Sequence, residues 1–432
     1  MAGLPERKRE DQMKGLRISF IVFAAALITF GLSGMAFAFH SGGVAECMGC
    51  HNIHDALSTS SLLVGSDASS TCANASCHGA PSPGSYHILT PSVTAGIPPL
   101  NITPGGDFGW LLKTYTYSPR SGTTSTDYGR NHGHNIVAID LPGYVADDNL
   151  TIAPGGSMSS SQLGCTSCHD QHGKLRRLST GAFAVTGAPI ISSGSYNNNP
   201  DPVAGQAVGA YRLLRGFGGP AAPASAGGTA FNAIFHAVSR STYNGNSTNA
   251  PNPNKVAYGA GVSDWCASCH ADMLSSTSSK HTHPTNQTFG GSTQLIYNTY
   301  LGSGRSGASG FDTLVPFQND NYGSGASDYA ALRTIDNAAN TQADGTSRVM
   351  CLSCHRAHAS GWEFMGRWNN AGEMIAVDGV WPGTDSPSSV GALPKWAQGR
   401  TVAETTFSYD NVLPTKYSTY QRSLCNKCHA QD

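Results

Sequence analysis

The chain has 432 residues, room for two or three ordinary domains, yet only 12% are charged and 51 are glycine. Gly stands at about 12% against a usual share of about 7%, and charge at about half its usual share. Such a chain buries little aliphatic core and loses much backbone entropy on ordering, so something other than Leu, Ile and Val must hold it. A net charge of −1 offers no basic field for nucleic acid, and 15 Phe, 16 Tyr and 6 Trp exclude a disordered polymer.

In chain order, the first segment reads as a leader. Arg7, Lys8, Arg9, Lys14 and Arg17 form a basic region, Ile18 to Leu32 an apolar run, and Ala36-Phe37-Ala38 a small-x-small cleavage site before Phe39. The expectation is a signal peptide over 1–38 and a secreted chain over 39–432, with no membrane span after cleavage. That remainder has 21 basic against 24 acidic residues.

All twelve cysteines then fall into six close pairs: Cys47/Cys50, Cys72/Cys77, Cys165/Cys168, Cys266/Cys269, Cys351/Cys354 and Cys425/Cys428. Each second Cys is followed by His: His51, His78, His169, His270, His355 and His429. Disulfides suit an exported chain, and a two-residue gap suits half a zinc ribbon, but neither explains the six following histidines. Cys-x-x-Cys-His is the signature of covalent haem c: two thiols add to two vinyl groups along one macrocycle edge, and the adjacent His ligates the iron. The second pair departs from it, with Ala73-Asn74-Ala75-Ser76 between its cysteines; a longer loop that bulges can still deliver both sulfurs.

Six haems leave roughly 66 residues each, near the size at which a domain needs a staple or a metal. The expected fold is therefore mostly irregular coil with short α-helices near the motifs and little β. It is a single elongated multihaem domain of three two-haem units.

Six more ligands are needed if every iron is six-coordinate. Beyond the motifs the secreted chain has His40, His54, His87, His132, His134, His172, His236, His281, His283 and His358. Motifs one, three and five continue as Cys-His-x-x-His, bringing in His54, His172 and His358. Placed one helical turn after the proximal ligand, such a His cannot reach the far side of its own porphyrin and must serve another haem. If each serves the odd haem of the preceding unit, His172 completes the first haem and His358 the third. His54 is then spare and the fifth haem lacks a ligand. A spare group and a missing one fit head to tail between neighbouring copies, a contact that builds an open filament. For the even haems His134 and His283 come first, then His87, then His40; His132, His236 and His281 are expected bystanders.

At these residues the chain resembles the hexahaem outer-surface cytochrome S nanowire family of Geobacter-type bacteria. The likeness runs through Phe39-His40-Ser41-Gly42-Gly43-Val44-Ala45-Glu46, Thr103-Pro104-Gly105-Gly106-Asp107-Phe108-Gly109-Trp110 and Val208-Gly209-Ala210-Tyr211-Arg212. It continues in Cys351-Leu352-Ser353-Cys354-His355-Arg356-Ala357-His358 and Leu424-Cys425-Asn426-Lys427-Cys428-His429. The resemblance implies bis-His haems in stacked and T-shaped contacts along a polymer, with the His matching His54 ligating a haem of the adjoining subunit. The four-residue gap of the second site and the additional His132 depart from the family pattern. The function expected is extracellular electron transfer, by a filament that carries electrons to acceptors such as metal oxides or other cells. A soluble periplasmic shuttle is the alternative, and then a reductase of a small substrate, which would need an open iron position.

Overall fold

A computed structural model describes residues 47–58, 61–79, 87–119, 122–218, 221, 229–240, 256–274, 283–303, 305–306, 310–321, 326–337, 342–387 and 393–429. The leader and His40 lie outside these residues, as does His281. Among the described residues the α-helices are α1 (Cys47–Cys50), α2 (Ala68–Cys72), α3 (Cys165–Cys168), α4 (Val262–Cys266), α5 (Gly291–Thr299), α6 (Ala326–Asn337), α7 (Cys351–Cys354), α8 (Leu393–Trp396), α9 (Val402–Ser408) and α10 (Asn426–His429). The longest has 12 residues, and no described helix is long and apolar enough to cross a membrane. The chain is mostly coil, as its composition predicts.

Six of the ten helices are single turns that carry a haem-type motif. A turn this short does not hold in isolation, and three of them carry a side-chain cap. In α3 and α7 the Ser before the second Cys caps the turn: Ser167 Oγ accepts from Gly164 N–H (3.0 Å) and Ser353 Oγ from Met350 N–H (3.1 Å). In α2 the carboxylate of Asp67 accepts from Ser70 N–H at 2.9 Å.

Sheet structure is scattered in two- to four-stranded pieces. The four-stranded piece orders Ser347–Arg348, Gln318–Asn319, Val256–Tyr258 and Ala237–Ser239. Helix α6 covers it by packing Tyr329 and Leu332 on Val238 and Ala257. The buried apolar residues form clusters rich in aromatic rings, and motif cysteines border them. Cys354 and Cys428 pack on the cluster of Tyr297, Trp362, Trp368, Trp381, Tyr409 and Tyr417, Cys168 on that of Tyr211 and Tyr258, and Cys165 on that of Phe108 and Trp110. The core is thus arranged around the motifs and not beside them.

Candidate functional site

The six motifs share one backbone register. In each, the N–H of the His donates to the carbonyl of the first Cys: His51 to Cys47 (2.7 Å), His169 to Cys165 (3.0 Å), and His270, His355 and His429 to Cys266, Cys351 and Cys425 (3.1 Å each). The second motif keeps this bond, His78 N–H to Cys72 at 3.1 Å, despite its two additional residues. They are absorbed by an exposed loop in which the N–H groups of Cys77 and Gly79 both donate to the carbonyl of Asn74, at 2.9 and 3.0 Å. The Asn74 side chain closes that loop by accepting from the N–H and the hydroxyl of Ser76. None of the twelve cysteines is joined in a disulfide. Among the described residues no group of three or more His, Cys, Asp or Glu side chains is placed to hold a bare metal ion.

The odd motifs carry a device that sequence reasoning missed. His51 Nδ1–H donates to the carbonyl of Ser61 (2.7 Å), Asn52 N–H to Leu62 (2.7 Å), and Val64 N–H returns to Cys50 (2.9 Å). The third motif repeats it with His169 to Arg212 (2.9 Å), Asp170 to Leu213 (2.8 Å) and Arg215 back to Cys168 (2.9 Å). The fifth repeats it with His355 to Phe364 (2.6 Å), Arg356 to Met365 (2.8 Å) and Arg367 back to Cys354 (2.8 Å). The clamp turns through left-handed backbone at Leu62, Leu213 and Met365, with φ of 51°, 54° and 59°, a conformation costly for such residues. Nothing in the one-dimensional pattern signals it, because the clamping segment follows its His by ten, 43 or nine residues.

The clamp also corrects the helix-face argument. The helix stops at the second Cys, and His169 and His355 are already extended, with φ/ψ of −106°/143° and −114°/157°. The second His of each odd motif is therefore not one helical turn along a shared face. Extended chain, held by the clamp, carries it away from the motif instead.

Four pairs of imidazoles face each other across a consistent gap. His51 and His172 have ring centroids 6.4 Å apart, His169 and His358 6.3 Å, His134 and His270 6.1 Å, and His283 and His429 6.2 Å. Two imidazoles bound to one first-row metal from opposite sides, each at about 2.0–2.1 Å, have centroids about 6 Å apart. The four pairs therefore fit an iron between them. His51/His172 and His169/His358 are the pairings expected from the odd-motif repeat, and His134 and His283 are the two foremost even-haem candidates.

Nδ1 is engaged with backbone carbonyls around these rings, which leaves Nε2 for a metal. His270 donates to Pro154 (2.8 Å), His134 to Ala357 (2.7 Å) and His358 to Gly106 (3.2 Å). Burial pushes His134 down to about 4 and His358 to about 3, and lowers His283 and His355 as well. These imidazoles are neutral at neutral pH, the form that ligates a metal.

The remaining histidines divide clearly. His87 is buried beside the second motif, its Nδ1–H donating to Gly79 at 3.0 Å while Ile88 N–H donates to His78. His54 is exposed, and among the described residues no imidazole faces it or His355 in the paired manner. His132 is fully buried with both nitrogens engaged, Nδ1 by the carbonyl of Trp110 and Nε2 by Asp127 (2.9 Å each), beside Arg400. His236 lies between Phe183 and Tyr329. Both have structural surroundings.

The thiols also define which motifs adjoin. Cys72 lies beside Cys165, and Cys266 beside Cys351. Ser69 and Ser263, each three residues before its Cys, present their hydroxyls to the N–H of Cys165 and Cys351 at 3.2 Å. The second motif is thereby joined to the third, and the fourth to the fifth, by one repeated contact.

No protein-family model matches the chain. The C-type cytochrome OmcS of Geobacter sulfurreducens is 45% identical over 446 aligned residues, which span 97% of this chain and all of the relative. The chain belongs to the OmcS family of c-type cytochromes. Two solved structures agree, one described as the OmcS nanowires of Geobacter sulfurreducens and one as its outer membrane cytochrome S filament. The TM-score is 0.77 for both, at 43% and 44% identity, with 91% of this chain and all of the other covered. A c-type cytochrome is defined by covalent haem, so the OmcS relationship and the six motif geometries concern the same chemistry.

Proposed function

We propose that this OmcS-family chain binds six haems c, all held by paired histidines, and assembles head to tail outside the cell into a filament that conducts electrons. The six cysteine pairs hold the macrocycles. Iron ligands are His51 with His172, His78 with His87 or His40, His169 with His358, His270 with His134, and His429 with His283. His355 is completed by His54 of the neighbouring subunit. When bound, the haems supply one-electron Fe(III)/Fe(II) exchange, and the chain supplies spacing, ligand identity and exclusion of water. No substrate is transformed: with each iron closed by two imidazoles, no position is left open for small-molecule chemistry.

The observation that carries the polymer is the accounting of imidazoles. Among the described residues four pairs close within the chain at 6.1–6.4 Å, while His355 and exposed His54 have no facing ring. Their surroundings support a contact between copies. Met48, Ile53 and Leu57 around His54 are 79%, 78% and 64% exposed, and Phe364, whose carbonyl holds His355, is 65% exposed. The apolar groups about His54 and the exposed Phe364 ring beside His355 suit burial against each other, and two different patches on one molecule propagate without closing.

His54→Ala tests the reading. The variant is expected to remain a folded hexahaem protein, to form few filaments by negative-stain electron microscopy, and to bind about one carbon monoxide per chain when reduced. Native material should bind almost none. Normal filaments from the variant, or rapid carbon monoxide binding to the native protein, would refute it.

A further inference from the structure

The three clamps share a backbone but differ in charge, and the difference falls at two matched positions. The residue after the proximal His is Asn52 in the first, Asp170 in the third and Arg356 in the fifth. The residue that returns to the second Cys is Val64, Arg215 and Arg367. Arg215 and Arg367 are buried and act alike. The Nε–H of Arg215 donates to Thr166 (2.9 Å) and that of Arg367 to Leu352 (2.5 Å), in each case the residue directly after the first Cys. Each guanidinium is thus folded under the cysteine turn of its motif.

The net charge follows by inspection. The third clamp sets Arg215 and Arg212, which lies near His358, against the buried carboxylate of Asp170. The fifth sets Arg367 and Arg356 against Asp410, which pairs with Arg356 at 2.9 Å, both buried. Half-exposed Glu363 accepts from Asn131 Nδ2–H at 3.3 Å and is screened by solvent. The fifth motif therefore holds one buried positive charge in excess; in the third, Arg215 offsets Asp170 and the excess charge is that of half-buried Arg212. The first clamp has no such cation: Asn52 and Val64 are neutral, Asp55 beside Asn52 is exposed, and half-buried Asp67 follows Val64 by three residues.

Gaining an electron lowers the charge on a haem by one, so a buried cation nearby favours the reduced form, strongly where water is excluded. An arginine guanidinium keeps its charge throughout the accessible pH range. We infer that Arg215 and Arg367 are potential-setting residues, holding the third and fifth haems at higher reduction potential than the first. Electrons then dwell on those two haems within each subunit, and the first, clamped without charge, is the step an electron leaves most readily. The inference rests on the haem and ligand assignments proposed above, and adds a role for residues that touch no iron.

The test is a spectroelectrochemical titration of purified hexahaem filaments of the native chain and five variants: Arg215→Met, Arg367→Met, Arg215→Lys, Arg367→Lys and Val64→Arg. Each Met variant should move one of the six one-electron components to lower potential by about tenfold in its equilibrium, about 59 mV. The Lys variants should leave it in place, and Val64→Arg should raise one component by a similar factor. Haem number by intact mass and filaments by electron microscopy are scored in parallel, so a failure of assembly is separated from a failure of tuning. Six unshifted components in the Met variants with all haems present would overturn the inference. So would Lys variants shifted as far as Met, which would mark the arginines as packing groups. Should the Met variants lose a haem, Val64→Arg decides: the half-buried Val64 has room for the change, and no rise in potential would overturn the inference.

Discussion

The odd-numbered and even-numbered motifs use the same Cys-to-His register but are supported in different ways. Around Cys50, Cys168 and Cys354 the chain closes a three-bond clamp, so the second Cys and the proximal His are fixed from outside their own turn. The second motif has a lighter support, a bond from Ile88 to His78, and the fourth one from His270 to Pro154. The four-residue gap occurs where, among the described residues, no bond returns to the second Cys, and its additional residues leave through the exposed Asn74–Ser76 loop without disturbing the His78 bond. Tolerance to insertion follows from how many external bonds a motif must satisfy.

The largest expected effect breaks this contrast directly. Inserting two residues between Leu352 and Ser353 should displace the second Cys from the Arg367 bond and remove the Ser353 cap, and intact mass should show a chain one haem short. Removing Ala75 and Ser76 from the second motif should leave six. If both changes are tolerated alike, the clamp does not set the tolerance.

The double substitution Cys72→Ala/Cys77→Ala should reduce the covalent mass by one haem and leave the other five, because the clamp of the third motif does not pass through the second. An unchanged mass would mean that these cysteines do not hold a haem. Both experiments separate what the sequence displays from what it conceals. Cys-x-x-Cys-His is legible because the chemistry is local: two thiols and an imidazole within five residues. The pairing of His172 with His51 and of His358 with His169 was legible through the repeat, whereas the count of spare imidazoles left His40, His87, His134 and His283 open. The clamp was not legible. Its segments, Ser61-Leu62-Leu63-Val64, Arg212-Leu213-Leu214-Arg215 and Phe364-Met365-Gly366-Arg367, lie at unequal distances from their histidines, and neither the Leu-Leu of the first two nor the final Arg of the last two is a turn signal. Their left-handed turns fall on Leu and Met, where no Gly or Asn marks them. The helix-face argument failed for the same reason, since the clamp ends the helix at the second Cys.

A site outside both sets provides a baseline for acid sensitivity. His236 is buried, and burial pushes it down to about 4. Its surroundings are Phe183 and Tyr329, with Asp328 nearby and Arg177 over the Tyr329 ring at 4.1 Å. Because the unfolded chain takes up this proton near pH 6.5, stability is full above that pH and falls as pH drops toward 4. The loss reaches at most about 3 kcal/mol. His236→Phe should reduce the difference in melting temperature between pH 7 and pH 4.5; an unchanged difference would place the acid-sensitive step elsewhere, in the motifs.

The smallest effect compares two serines. Ser353 is buried and bonded to both Met350 N–H and the Pro316 carbonyl, so Ser353→Ala should cost about 1–2 kcal/mol in thermal or denaturant unfolding. Ser76 lies in the exposed loop, and Ser76→Ala should cost less than about 0.5 kcal/mol. Equal costs would mean that the two loops are equally constrained.

The central claim concerns what completes the fifth haem, and a cryo-EM map of the assembled protein tests it most directly. The account predicts density from the iron held by His355 to the imidazole of His54 of the neighbouring subunit, repeated at every junction. A ligand from the same chain at that iron, or His54 lying free of any haem, would contradict it.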